Sequence, residues 1–154
     1  AHTRVCLDPL SDKYGKLGAN LHAMTYVKGG VEKMPFADSS WDVVTSINNF
    51  DHVSDPVMGL MEVARVLKPG GKFRMIVELH AEPTACEPQA YTFARLRMLF
   101  DVVKLSVVRE SATEACEGPE TQAIPRCPKY DHDNPAARDA WWVVTAVNNK
   151  TAAA

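Results

Sequence analysis

The chain has 154 residues, 46% hydrophobic and 23% charged, which is enough apolar material for one globular domain with its own core. A formal net charge of −2 without a basic run leaves no electrostatic case for nucleic acid or an anionic membrane surface. No uninterrupted apolar stretch approaches a membrane span.

Arg4 to Asp8 reads as a short strand, closed by an acid and halted by Pro9. From Ser11 to His22, Tyr14, Leu17 and Leu21 recur at helical spacing, a weak amphipathic helix cut by Gly15 and Gly18. Thr25-Tyr26-Val27 is a second strand, ended by Gly29-Gly30. Trp41 to Ile47 is a third, and its near-continuous apolar character predicts burial on both faces.

Ser54-Asp55-Pro56 is a strong helix start, an oxygen-bearing cap followed by proline in the first turn. Val57, Leu60, Met61, Ala64 and Leu67 then fall on one predicted face. Lys68-Pro69-Gly70-Gly71 ends the helix and turns into a strand from Lys72 to Leu79, in which Lys72 and Arg74 alternate with apolar residues. Tyr91 to Leu99 is helical, Val102 to Val108 a strand, and Ser111 to Arg138 a long Pro-, Gly- and charge-rich loop. Trp141 to Val147 is the last strand, expected to pair antiparallel with Val102 to Val108. Trp141 and Trp142 read as core and edge packing.

This order predicts an α/β sheet layered by helices, with one domain over residues 1–151 and no internal repeat. Ala152-Ala153-Ala154 reads as a cloning scar, and the start at Ala1-His2-Thr3-Arg4 as a truncation. Cys6, Cys86, Cys116 and Cys127 are scattered, with no CxxC pair for zinc. Cys116 and Cys127, with His132 and Asp133 nearby, can hold a metal or a disulfide in principle. Free thiols in a reducing cytoplasm are the expectation.

In such sheets, ligands sit at the carboxyl ends of parallel strands. That directs attention to Asp8, Gly29-Gly30, the residues Ser46 to Asn49, and Leu79-His80. Asp8 either grips both hydroxyls of a ribose or caps the turn before Ser11. Gly29-Gly30-Val31 lets backbone approach a flat base, with Met34 and Phe36 as an apolar wall. Asn48 and Asn49 either meet a ligand or satisfy loop backbone. Asp51, His52, Glu78 and His80 are the titratable groups near the strand ends. Alternating Glu78, His80 and Glu82 suggests a metal only weakly, and none is expected.

Three blocks carry a resemblance. Residues 29–46 (Gly-Gly-Val-Glu-Lys-Met-Pro-Phe-Ala-Asp-Ser-Ser-Trp-Asp-Val-Val-Thr-Ser) resemble the "G-D-A-E-x-L-P-F-x-D-x-S-F-D-V-V" block of class I S-adenosylmethionine-dependent methyltransferases of type 11. Asn49 to Val53 are similar to their "x-L-H-H-V" segment, and Glu62 to Gly71 to their "E-x-x-R-V-L-K-P-G-G". The resemblance spans roughly residues 4–80. It implies a Rossmann-like sheet with helices on both faces and a C-terminal antiparallel strand pair.

For the cofactor S-adenosylmethionine it implies ribose at Asp8, adenine at Gly30, Val31 and Met34, and the methionine part at Ser46 and Asn48. Gly30 stands where the family usually carries an aspartate that bonds the adenine amino group. The family's opening strand and glycine-rich turn have no counterpart before Asp8, so the first, central strand is expected to be missing. Its loss leaves two hydrophobic strand edges facing each other, a hazard that a homo-oligomer would cover.

Two functions follow. One is methyl transfer to a small molecule, with His52 or His80 as base and the loop 111–138 as a lid. The other is a catalytically inactive remnant serving as a binding module. A nicotinamide-dependent Rossmann protein is disfavoured because no G-x-G-x-x-G is present.

Overall fold

A computed structural model describes residues 3–18, 21–80, 82–83, 85, 87–114 and 140–151. The long loop from residue 115 on, with Cys116, Cys127, His132 and Asp133, and also Cys86 and the final alanines, lies outside the described residues. Among the described residues there are six strands and two α-helices. They are β1 (Val5–Asp8), β2 (Thr25–Lys28), β3 (Trp41–Ile47), α1 (Pro56–Val66), β4 (Leu67–Leu79), α2 (Phe93–Val102), β5 (Leu105–Glu114) and β6 (Ala140–Asn148).

Helix α1 begins as the sequence predicts. The Asp55 carboxylate accepts the N–H groups of Val57 and Met58 at 3.0 Å each, and Pro56 fills the first turn. Its inner face is rotated from the expected one. Gly59, Leu60, Val63 and Val66 are buried, whereas Val57 and Met61 are exposed. The predicted helix after Ser11 is a 3-10 turn over Ser11–Leu17, stopped by Gly18 at φ +81°.

The strands form two sheets. β1 and β2 pair in parallel over four residues, and a second sheet runs in the order β3-β4-β6-β5. β3 and β4 are parallel, and β6 lies antiparallel between β4 and β5, which confirms the terminal strand pair. One face of the second sheet is the core. Phe73, Met75, Val77 and Leu79 of β4 face Ala146, Val144, Trp142 and Ala140 of β6 across the ladder. Leu60, Val63, Leu96, Leu99 and Phe100 cover them, and Phe73 meets Phe50 and Phe100 edge-on.

No ladder joins β1 to β3 among the described residues. This overturns the expectation for β3. Val43 and Ile47 are 44% and 64% exposed, because a strand needs neighbours on its edge and faces before apolar side chains can be buried. Two later boundaries also move. Thr92 caps α2 through the N–H of Arg95, starting that helix two residues after the expected Tyr91. Lys104 then turns at φ +60° and delays β5 to Leu105.

Candidate functional site

A cavity of about 930 Å³ lies between the two sheets. Its walls are apolar where β1 faces β3 and α1, with Leu7, Val44, Val63, Val66 and Phe73. At the carboxyl ends of the strands its lining turns polar and includes Asp8, Gly29, Gly30, Glu32, Ser46 and His52. Val31, Met34 and Asn49 also line it.

Asp8 ends β1 and is half-buried. One of its oxygens accepts the Leu10 N–H at 2.7 Å, the short cap that the following proline favours. Tyr14 donates its hydroxyl to the same carboxylate, which pushes the phenol above its ordinary range. Asp8 is therefore both a turn cap and a cavity residue. Gly30 has an extended backbone, so its conformation does not demand glycine. A Cβ there would sit 3.0 Å from Oε2 of Glu32, the movable end of a long side chain. At Gly29 a Cβ would sit 3.0 Å from Leu7 Cδ1.

Ser46, the buried end of β3, donates to Asn49 Oδ1 at 2.5 Å. Asn48 is the left-handed residue of that turn at φ +48°, and its N–H bonds the carbonyl of Ile76 at 2.9 Å. Asn48 does not line the cavity; Asn49 does. The structure thus brings Asp8, Gly30, Val31, Met34, Ser46 and His52 to one cavity and leaves Asn48 and His80 off its lining.

His80 sits instead in a separate buried group with Asp51 and Glu87. Asp51 is wholly buried in the 3-10 turn after β3, and neither carboxylate oxygen meets a hydrogen-bond partner among the described residues. Burial pushes this carboxyl above the usual range, partly offset by its own N–H and by His52, whose Nε2 lies 3.9 Å away. Glu82, weighed as a metal ligand in the alternating trio, contributes its backbone carbonyl to His80 Nδ1 at 2.6 Å.

The comparisons with known proteins bear on all of this. Residues 3–75 match the methyltransferase domain family. A demethylmenaquinone methyltransferase of Beutenbergia cavernae is 37% identical over 70 residues, covering 46% of this chain and 29% of the relative. A ubiquinone/menaquinone biosynthesis C-methyltransferase UbiE of Idiomarina loihiensis is 30% identical over 106 residues, covering 64% of this chain and 42% of the relative. Among solved structures, a candidate methyltransferase from Bacillus halodurans superposes at a TM-score of 0.71 with 17% identity, over 97% of this chain and 84% of that one. A methyltransferase from Methanosarcina mazei does so at 0.65 with 15% identity, over 93% and 80%. Residues 3–75 are similar to the methyltransferase domain family, and the chain has the fold of the methyltransferase structures on which it superposes. It spans less than half the length of these two curated relatives.

The family blocks then acquire physical meanings. The Glu62–Arg65 pair is a clamp. Arg65 donates through Nε to Glu62 Oε1 at 2.5 Å and through Nη1 to the Phe36 carbonyl at 2.8 Å. It also reaches Asp38 at 2.6 Å and the Met34 carbonyl at 3.1 Å. Glu62 in turn accepts the Met34 N–H at 2.7 Å. The clamp fixes the Met34–Asp38 turn against α1, and with it the apolar wall beside Gly30. Its signal was in the sequence as an i, i+3 charge pair, but the carbonyl partners were not.

Sequence reasoning also passed over Glu32. Its Oε1 accepts the Ser54 N–H at 2.9 Å, and its Oε2 reaches into the space beside Gly30. No residue type at position 30 predicts that.

Proposed function

We propose that this chain binds S-adenosylmethionine in the cavity between the sheets and supports transfer of its methyl group to a small-molecule acceptor. The observation that carries the reading is the convergence of Asp8, Gly29 to Glu32, Ser46 and Asn49 on one cavity at the carboxyl ends of three strands. These residues fit such a cofactor: a carboxylate for ribose, tight glycines and an apolar wall for a flat base, and a Ser–Asn pair for the polar tail. Glu32 supplies the acid that Gly30 lacks, placed to accept the adenine amino group. When bound, the cofactor supplies a methyl group already activated on a sulfonium.

The protein's own task is alignment and the handling of one proton. His52, on the cavity lining, is placed to take that proton; His80 is buried away from it. The curated relatives' names suggest a quinone-like ring as acceptor, and the apolar walls suit one. These relatives are named as enzymes, and nothing among the matches favours the inactive-remnant reading.

The test is calorimetry with S-adenosylhomocysteine. Micromolar binding is expected, weakened about tenfold or more in Asp8→Ala, the equivalent of one charge-assisted hydrogen bond. A smaller loss is expected in Glu32→Gln. Binding that Asp8→Ala leaves untouched would reject this placement.

Two settings belong to the same proposal. A second copy covers the open edge of β3, whose exposed Val43 and Ile47 support it. Sedimentation at micromolar concentration should show a dimer, and a monodisperse monomer would remove that part. A reducing cytoplasmic location is consistent with the free thiol of Cys6, and no helix among the described residues is long and apolar enough to cross a membrane.

A further inference from the structure

The group formed by Asp51, His80 and Glu87 has features that ordinary packing does not explain. One ligand-type atom from each lies within 4.8 Å of the other two. Asp51 is 0% exposed and His80 8%, so both are shielded from the water that would otherwise solvate them. A carboxylate taken out of water with no hydrogen bond to either oxygen is costly by several kcal/mol unless a counter-charge meets it.

The imidazole is oriented to supply a lone pair. Its Nδ1 lies 2.6 Å from the carbonyl oxygen of Glu82, and because a carbonyl can only accept, Nδ1 carries the proton. In the neutral ring Nε2 is then a bare acceptor. It is buried, without a hydrogen-bond partner among the described residues, and 3.6 Å from Oε2 of Glu87. A histidine whose second nitrogen is fixed by a backbone carbonyl is the arrangement metal-ligating histidines use.

We propose that Asp51, His80 and Glu87 bind one divalent first-row transition-metal ion, against the sequence expectation of none. A divalent ion would give the buried Asp51 oxygens the direct partner they lack among the described residues. Two oxygens and one imidazole nitrogen are a donor set for zinc, manganese or iron(II) rather than for the all-oxygen cages of calcium. Three protein ligands leave at least one coordination position open.

The scaffold is held from several sides. Asp51 follows β3, His80 follows β4, and Glu87 precedes α2. The Gln89 N–H bonds the Asp51 carbonyl at 3.2 Å, and the buried Tyr91 hydroxyl bonds the Phe50 carbonyl at 3.1 Å. The ion would therefore pin the 87–91 segment onto the turn that carries His52, one residue from the site and on the lining of the cavity. This inference does not depend on methyl transfer.

The experiment is titration of chelator-stripped protein with zinc and, separately, cobalt(II). Calorimetry and thermal unfolding follow binding, and the cobalt absorption spectrum reports the donors. One tight equivalent is expected, with a rise in melting temperature and a cobalt spectrum free of thiolate charge-transfer bands, which excludes cysteine ligation. His80→Gln and Glu87→Gln should each weaken binding more than about a hundredfold, beyond the usual cost of losing an outer-shell partner.

Asp51→Asn should abolish the rise in melting temperature with metal. Absence of saturable binding, binding unchanged in His80→Gln and Glu87→Gln, or a cobalt spectrum showing thiolate ligation would each overturn the proposal.

Discussion

The four-stranded sheet and the β1–β2 pair are built to different standards. The sheet places Phe73, Met75, Val77, Trp142 and Val144 against two helices, essentially inaccessible to solvent. In the pair and the turns around it, Met34 is the sole fully buried hydrophobic residue before Phe50 among the described residues. Leu7 is only partly buried against the core. What fastens the pair is mostly polar and local: the Glu62–Arg65 clamp, the Asp8 cap, the Tyr14–Tyr26 edge contact, and the Lys28–Asp12 bridge at 2.8 Å. The stable half of the molecule is thus not the half that would hold ribose and adenine. Low local stability on the ligand side is the usual home of binding segments, which ligand then orders.

The sharpest way to break this comparison is to empty each half in turn. Phe73→Ala should cost about 3–5 kcal/mol of global stability in denaturant unfolding, while Leu7→Ala should cost about 1–2 kcal/mol. Hydrogen exchange should show β1 and β2 amides exchanging well before those of β4 and β6. Equal costs, or uniform exchange, would mean the two sheets unfold as one unit.

The clamp comes next in size. Arg65→Ala should lose about 2–3 kcal/mol, since it strands Glu62 and two carbonyls at once, and should open the 34–38 turn to proteolysis.

Its pH dependence has a definite sign. The Arg65 hydrogen bond, and then the Met34 N–H, hold the Glu62 carboxyl below the ordinary glutamate range against the opposing effect of burial. A depressed carboxylate stabilises fully above its unfolded pKa, and the contribution disappears as pH falls through the folded value. Wild type and Glu62→Gln should therefore differ at neutral pH and converge in acid, read as melting temperature against pH. The smallest effect belongs to Lys28→Ala, an exposed pair for which no measurable change in melting temperature is expected.

Much of the fold was legible because its signals are local. Asp55 before Pro56, the glycines after Lys68, and the apolar runs of β1 to β3 each fix their element without reference to distant residues. The burial of β3 was misread because burial is a property of neighbours, and the run Trp41–Ile47 looks the same whether or not a strand lies beside it. The face of α1 was misassigned because Gly59, which packs 3.2 Å from Phe50 and Val31 by its would-be Cβ, counts as neither apolar nor polar in a periodicity. At the candidate site, Asp8, Ser46 and His52, named from their places at or after strand ends, line the cavity. Glu32 and Glu87 were not so named, since each reaches its position through a turn whose shape the sequence does not disclose.

One feature of the sheet bears on how the molecule comes to be folded at all. β6 is the last described strand yet interior in the ladder, joining Lys72 to Val147 on one side and Leu105 to Asn148 on the other. Asn148 then donates to the carbonyls of Ala64 and Leu67 at 2.9 and 3.0 Å, and Lys150 to those of Ala64 and Arg65 at 3.1 and 2.9 Å, closing the end of α1. During synthesis the earlier strands must therefore wait, unpaired on their inner edges, until residue 148 leaves the ribosome. Assembly is late and dominated by contacts of long sequence separation, a slow class of folding reaction, and the nascent chain is most exposed to misassociation in the interval before its final strand arrives.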